Sequence, residues 1–504
     1  MRARNALNNT VIGLFLELIK IAFGLIIPYL IIQYFGSVYN GLIASILKFL
    51  SIVSLMTVGI GGVARAALYE PLAKKDTNNI STILRTTEKF MKRVAVLFGG
   101  ALLAFAIFYP LLILDEFDWL FSFSLVLILG MGIVSEYYFG MTYQILLKAD
   151  QKLYIVSLIQ IITTILNATM AILLIVNGFS IHLVKFASGV ILILNPIVIN
   201  RIVHKKYKLV KNAPINNLVL SQRWDAFAHQ IAAFVLKNTD VILLTIFTSL
   251  KEISVFAVYN AIVFSVRKIV FKFSSGLGSA FGDMFVKKEI KLLNENFSLF
   301  ELLVFSISTI LFTVTALMLL SFVMLYTDGV GDVNYYRPLF GFIVVLATAF
   351  SCLRIPYQSV VEAVGHFKQT RNGAIFEAIL NLTVSLLLIP RYGIVGAAIG
   401  TLSATFFRTM QYAYYLSKVI LERSMGAFLK RIATSTLSSI LIIFIGARVS
   451  DAYIQDFREW IVLGGILFLI ALVIVFGENI LFYKNETLLF CKKIKNAAIR
   501  KKRV

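Results

Sequence analysis

Residues 154–176 read YIVSLIQIITTILNATMAILLIV, twenty-three consecutive positions without a charged side chain. An α-helix rises about 1.5 Å per residue, so about 20 apolar residues cross the hydrocarbon core of a bilayer. This stretch is long enough to span. Asn167 and Thr169 form a glycosylation sequon, but inside a span they read as polar helix-packing positions. Working outward, apolar runs between polar breaks predict fourteen spans, near 10–34, 42–64, 94–114, 122–146, 154–176, 183–201, 229–248, 254–276, 301–326, 339–361, 373–390, 394–416, 432–448 and 460–482. Of the 504 residues, 59% are apolar and 15% charged. Soluble domains are nearer half apolar and a quarter charged, so a soluble enzyme is excluded. The charged flank MRARNALNNT precedes an apolar stretch running to Phe35, longer than a signal-peptide core. It is therefore expected to stay as the first span.

The net charge is +22. Its distribution decides what that means. The N-terminus and the even-numbered connections carry 37 of the 48 Lys and Arg residues, including the basic end of the eighth span. The opposite connections carry six: Lys185, Lys251, Arg337, Arg391, Arg448 and Arg458. Basic loops stay cytoplasmic, so both termini are expected inside, and the charge reports topology rather than nucleic-acid binding. The tail KKIKNAAIRKKRV is expected to meet anionic lipid. Cys352 and Cys491 build no disulfide framework and sit at no metal-ligand spacing.

The same stretch also belongs to a repeat. Residues 143–175 align without gaps to 357–389 at an offset of 214, placing Tyr143-Gln144 on Tyr357-Gln358 and Ile165-Leu166-Asn167-x-Thr169 on Ile379-Leu380-Asn381-x-Thr383. At an offset of 220, Tyr39-Asn40, Ser45 and Lys48 fall on Tyr259-Asn260, Ser265 and Lys268. Slightly out of that register, Gly59-x-Gly61 meets Gly276-x-Gly278. Spans one to six thus repeat as seven to twelve. Six is even, so both halves keep one orientation and form parallel repeats. The expected architecture is an all-α polytopic membrane protein of about fourteen transmembrane helices. Its six-helix halves cover 1–215 and 216–425, and residues 426–504 add two helices and the basic tail.

Charges inside hydrocarbon are costly and mark cavities, partners or pathways. Glu17 and Lys20 are three apart and share a face of the first helix; the matching positions in the seventh span are Lys237 and Asp240, with signs exchanged. Either two facing helices carry a compensated network, or each pair satisfies only itself. Lys48, Arg267, Lys268 and Lys272 are cations of the second and eighth spans, and Lys48 has no acid within a turn. Lysines near helix ends can snorkel to the interface, which would account for Lys48 and Lys272. Lys268 lies roughly 20 Å into its span at the helical rise, which snorkelling does not explain. With Arg354 and Arg408 these residues predict a cationic cavity, which concentrates anions such as a phosphate or diphosphate. Glu17, Glu136, Asp240 and Glu377 are the candidates for coupling to H⁺ or Na⁺, and Gly24 with Pro28 make a hinge in the first helix. His182, His204, His229 and His366 are scattered, and no phosphate-cradling glycine loop follows a strand, so catalytic chemistry is not expected.

The segment from Gly36 to Asp76, GSVYNGLIASILKFLSIVSLMTVGIGGVARAALYEPLAKKD, carries a resemblance. Gly36 with Tyr39-Asn40-Gly41, Gly59-Ile60-Gly61, and Leu68-Tyr69-x-Pro71-Leu72-Ala73 with Asp76 resemble Wzx-type polysaccharide-lipid flippases of the multidrug/oligosaccharidyl-lipid/polysaccharide exporter (MOP) superfamily. The resemblance implies a V-shaped pair of bundles in a bacterial plasma membrane that exposes a central cavity to each face in turn. The implied substrate is an undecaprenyl-pyrophosphate-linked oligosaccharide of O-antigen or capsule type. It also implies that Lys20, Lys48 and Lys268 stand where such cavities carry cations. The expected protein is a monomer with no cofactor and no nucleic-acid partner, working beside glycan polymerases or glycosyltransferases. The alternatives are a cation-coupled drug exporter of the same superfamily, which an acidic, aromatic cavity would favour, and a non-catalytic scaffold for glycan assembly.

Overall fold

A computed structural model describes residues 2–53, 60–210, 213–216, 238–274, 278–449, 454–490 and 492. Every regular element among them is helical. Lys237, Gly59, Gly276, His229, Cys491 and the tail after Lys492 lie outside the described residues.

The helices form two compact units, Met1–Val255 with Gly329–Val333, and Phe256–Asp328 with Asn334–Val504. The first contains α1 (Arg2–Phe35), α2 (Ser37–Val53), α3 (Ile60–Lys74), α4 (Thr77–Phe108), α5 (Trp119–Ser135), α6 (Met141–Ala149), α7 (Leu153–Val176) and α8 (Ile181–Lys206). It also holds α9 (Asn238–Phe247) and the first turn of α10 (Leu250–Ser274). The second unit takes the rest of α10, then α11 (Gly278–Val286), α12 (Ile290–Tyr326), α13 (Pro338–Leu353), α14 (Ile355–Ala363), α15 (Phe367–Tyr392) and α16 (Ile394–Tyr415). It closes with α17 (Gly426–Val449) and α18 (Phe457–Phe482).

Eleven helices among the described residues are long and apolar enough to cross a membrane, against fourteen expected spans. The differences fall on spans two, seven and twelve. α2 and α9 are short as described. α16 is long, but Gly, Thr and Ser dilute it. Its small residues have a packing reason: a Cβ on Gly396 would lie 2.5 Å from the carbonyl carbon of Leu388, and one on Gly400 would lie 2.2 Å from Ser385 Oγ. α15 and α16 therefore touch backbone to backbone, as small-xxx-small helix pairs do. A helix enclosed by other helices does not need the hydrophobicity of one facing lipid.

α4 and α12 begin well before their apolar runs. The first half of α4 is amphipathic. Ile80, Ile83, Leu84 and Met91 recur at helical spacing and are buried with Leu146, Val156 and Val203 in one apolar core, and Thr87 on the same face is also buried. Asp76 of the flippase-like motif caps this helix, its carboxylate accepting from Asn79 N–H at 3.0 Å. That bond holds the Asp76 carboxyl below its ordinary pKa.

Candidate functional site

In the first unit the expected charges lie on α1, α2 and α9. Glu17 is half-buried and Lys20 exposed. Lys20 Nζ reaches Gln160 Oε1 of α7 at 3.4 Å, and no ion pair joins Lys20 to Glu17 among the described residues. The self-satisfied pair is therefore not what forms; Asp240 is half-buried, and its sequence neighbour Lys237 is among the undescribed residues. Gly24 has nothing within 4 Å of an added Cβ, and α1 continues through Pro28 as one helix. Lys48 is half-buried, and its Nζ donates to Asn238 Oδ1 at 3.4 Å. One turn away, Ser45 Oγ bonds Thr245 Oγ1 at 2.8 Å and receives the Tyr109 hydroxyl at 2.9 Å. Lys48 thus ends a polar face that α2 turns to α9.

Glu136 sits at a widened, π-type turn, Glu136–Gly140, between α5 and α6. Gln144 Nε2 donates to it at 2.5 Å. Such turns often occur at functional places in helices. Here Gly140 has a local cause: a Cβ there would lie 2.5 Å from Cβ of Pro196 on α8. In the second unit the helix breaks at Arg354, between α13 and α14, where Pro356 supplies no N–H.

Three residues that the sequence reading gave two different roles form one group. Arg354 Nη1 donates to Glu377 Oε1 at 2.6 Å, and Arg408 Nε lies 3.4 Å from Glu377 Oε2. Arg408 also donates to the Thr370 carbonyl at 2.9 Å and the Tyr412 hydroxyl at 3.0 Å. Its guanidinium stacks 4.2 Å from the Tyr412 ring centre. The Glu377 and Arg408 side chains are 5% exposed and Arg354 13%, so the charges must satisfy one another. Arg354 Nε has no hydrogen-bond partner. Half-buried Arg267 lies over the Phe264 ring and within electrostatic range of Arg354 and Glu377. Three cations and one anion leave this group net positive. Lys268, the next residue, is exposed and has no ion-pair or hydrogen-bond partner among the described residues, while Lys272 is half-buried.

No known family's sequence profile matches the chain, and no curated relative does. Solved structures do. A lipid II flippase, MurJ, in an inward closed conformation superposes with a TM-score of 0.68 at 16% identity, over 94% of this chain and 98% of that one. An inward-facing multidrug resistance MATE family transporter of the MOP superfamily gives 0.61 at 10% identity, over 84% and 99%. A MOP superfamily transporter from Pyrococcus furiosus, described by the reverse polarity of its binding pocket, gives 0.59 at 10%, over 84% and 97%. The fold is that of MOP-superfamily transporters.

Two features lay outside the sequence reading. Glu301 of α12 is fully buried and binds Arg423 Nη2 at 2.6 Å, Arg431 Nε at 2.9 Å and the Tyr357 hydroxyl. Arg431 continues to Glu486 at 3.2 Å, so one carboxylate ties α12 and α14 to α17 and the segment after α18. The only hint in the sequence was an acid entering an apolar run with no base within a turn. The second feature is a cavity of about 560 Å³ in the first unit, lined by Tyr39, Asp115, Glu116, Phe117, Asp118 and Phe121 among others. It is acidic and aromatic, and it contains none of the expected cations.

Proposed function

We propose that this chain moves a polyprenyl-diphosphate-linked glycan across a bacterial plasma membrane by exposing its binding site to each face in turn. What carries this reading is the set of basic side chains within the expected spans, Lys20, Lys48, Arg267, Lys268, Lys272, Arg354 and Arg408, of which Arg354 and Arg408 share one carboxylate. A diphosphate needs such partners, because focused positive potential in a low-dielectric site concentrates anions. The lipid II flippase likeness supports a lipid-linked cargo. The direction, from inner to outer leaflet, is the one that the resemblance to Wzx-type flippases implies.

Within this reading Glu377 serves as the counter-charge of two arginines. Coupling to H⁺ or Na⁺ is assigned instead to Glu17, Glu136 or Asp240. The drug-exporter alternative has one observation in its favour, the acidic, aromatic cavity. That cavity is built largely on the 114–118 connection and lacks the span-borne charges, which keeps the flippase reading ahead. The experiment is reconstitution into proteoliposomes holding a fluorescent polyprenyl-diphosphate disaccharide, with quenching added outside to count molecules in each leaflet. Protein-dependent redistribution supports the reading. Redistribution equal to that of empty vesicles, together with uptake of a hydrophobic cation, overturns it for the exporter.

A further inference from the structure

We infer that Glu116 and Asp332 are a matched pair of latches that close the seam where α2 meets residues 238–255, and that both release when that seam opens. The inference rests on the proposed alternating exposure. All the contacts lie within the first unit. Asp332 Oδ2 accepts from the Ser37 backbone N–H at 2.8 Å, and Oδ1 accepts from Ser37 Oγ at 2.6 Å. Ser37 is the first residue of α2 and is fully buried. Glu116 Oε1 accepts from the backbone N–H of Leu250, the first residue of α10, at 3.0 Å. A helix N-terminus presents unpaired N–H groups and the positive end of its dipole, so each acid satisfies what would otherwise be an orphan.

The two contacts correspond and cross over. Glu116 comes from the connection after α4 and holds a helix of the later half of the sequence. Asp332 comes from the connection after α12 and holds a helix of the earlier half. The acids are 216 residues apart and the capped residues 213, whereas the offset of 220 that pairs Tyr39-Asn40 with Tyr259-Asn260 puts Ser37 on Ala257, so the two contacts match by place in the topology, an acid of a connection on the first residue of a helix, and not residue by residue.

Between the latches the seam is polar and close. Asn40 Nδ2 donates to Ser254 Oγ at 2.8 Å, and a Cβ on Gly41 would stand 1.8 Å from the Leu250 carbonyl oxygen. Gly36, at φ +92°, brings the chain to Asp332; a Cβ there would lie 3.2 Å from its Oδ2. Hydrogen bonds of this kind can be replaced by water when the seam parts, which suits a contact made and broken in each cycle. The connections involved belong to the set that carries few basic residues, the face expected outside.

The test uses the full chain with Cys352 and Cys491 replaced by serine, and with Asn40→Cys and Ser254→Cys. A short bis-methanethiosulfonate, which joins two thiols by displacing a sulfinate from each end, reads closure, and a membrane-impermeant maleimide added to intact cells reads opening. The parent should cross-link and label poorly. E116A with D332A should lower cross-linking and raise labelling several-fold, each single change giving part of the effect. Labelling of the double variant equal to that of the parent overturns the latches. If the double variant fails to reach the membrane, Ser37→Ala, which removes one of the two Asp332 bonds, carries the test with the same outcomes. Neither readout needs substrate. Increased labelling without glycan transport by the parent sinks the flippase reading alone, and transport with unchanged labelling sinks the latches alone.

Discussion

Arg354 and Glu377 are 23 residues apart in sequence and 2.6 Å apart in space, and Arg408 reaches the other oxygen of the same carboxylate. Removing the shared anion leaves two buried guanidiniums facing each other. Breaking a buried pair in this way typically costs about 3–5 kcal/mol. Glu377→Ala should therefore lower the unfolding midpoint of the purified protein markedly, whereas Glu377→Gln with Arg354→Met should recover part of the loss. Denaturant titration in detergent checks this; equal stability of Glu377→Ala and the parent would contradict the cluster.

Glu301 makes a second prediction of a different kind. Its arginines, Arg423 and Arg431, lie 122 and 130 residues away, and the group fastens α17 and the segment after α18 to the body of the second unit. Glu301→Gln should expose the 423–431 segment to trypsin while cleavage in the first unit stays unchanged. Digestion of membranes followed by peptide mapping reads the difference.

Gly400 predicts a packing failure. An added Cβ at 2.2 Å from Ser385 Oγ must push α16 off α15. Gly400→Leu should cost about 1–3 kcal/mol or more, the usual range for overpacking a close contact. Gly24→Ala, in open space, should leave stability within about 0.5 kcal/mol, as for ordinary surface changes. Thermal melts of the two variants make the comparison.

Asp76 predicts a pH effect. Its carboxyl is held below the ordinary value chiefly by the Asn79 N–H, so the cap stabilises α4 above that ordinary value. The contribution disappears as pH falls through the lowered folded value. Asp76→Asn keeps an acceptor and should flatten the acid limb of the stability curve; Asp76→Ala should lose the cap at every pH.

These residues show which parts of the structure were legible in sequence. Long apolar runs such as 154–176 need only hydropathy, and α7 covers that range. α16 was found by its apolar run, but its enclosure between helices was not, because Gly396 and Gly400 look alike in lipid or in protein. The charges were found and their partners were not. Arg354 and Arg408 were read as part of a cavity wall because Glu377 is several helical turns from either along the chain. Only packing α13–α16 together brings them into contact. The same limit hid Glu301, whereas Asp76 was legible in place, since a cap bonds three residues on.

Lys48 and Lys268 are the residues whose removal should separate function from folding. Lys268 has no hydrogen-bond or ion-pair partner to lose among the described residues, and Lys48 reaches Asn238 at 3.4 Å. Lys268→Ala and Lys48→Ala should abolish glycan export in cells at unchanged protein abundance.

The direct test of an anion site inside the spans is binding by the purified chain in nanodiscs. A short-chain polyprenyl diphosphate is compared with the matching alcohol, in the parent and in Arg267→Ala with Lys268→Ala. The account predicts at least about tenfold tighter binding of the diphosphate by the parent, equivalent to about 1.4 kcal/mol, and loss of that margin in the variant. Equal affinity for diphosphate and alcohol in the parent would contradict it.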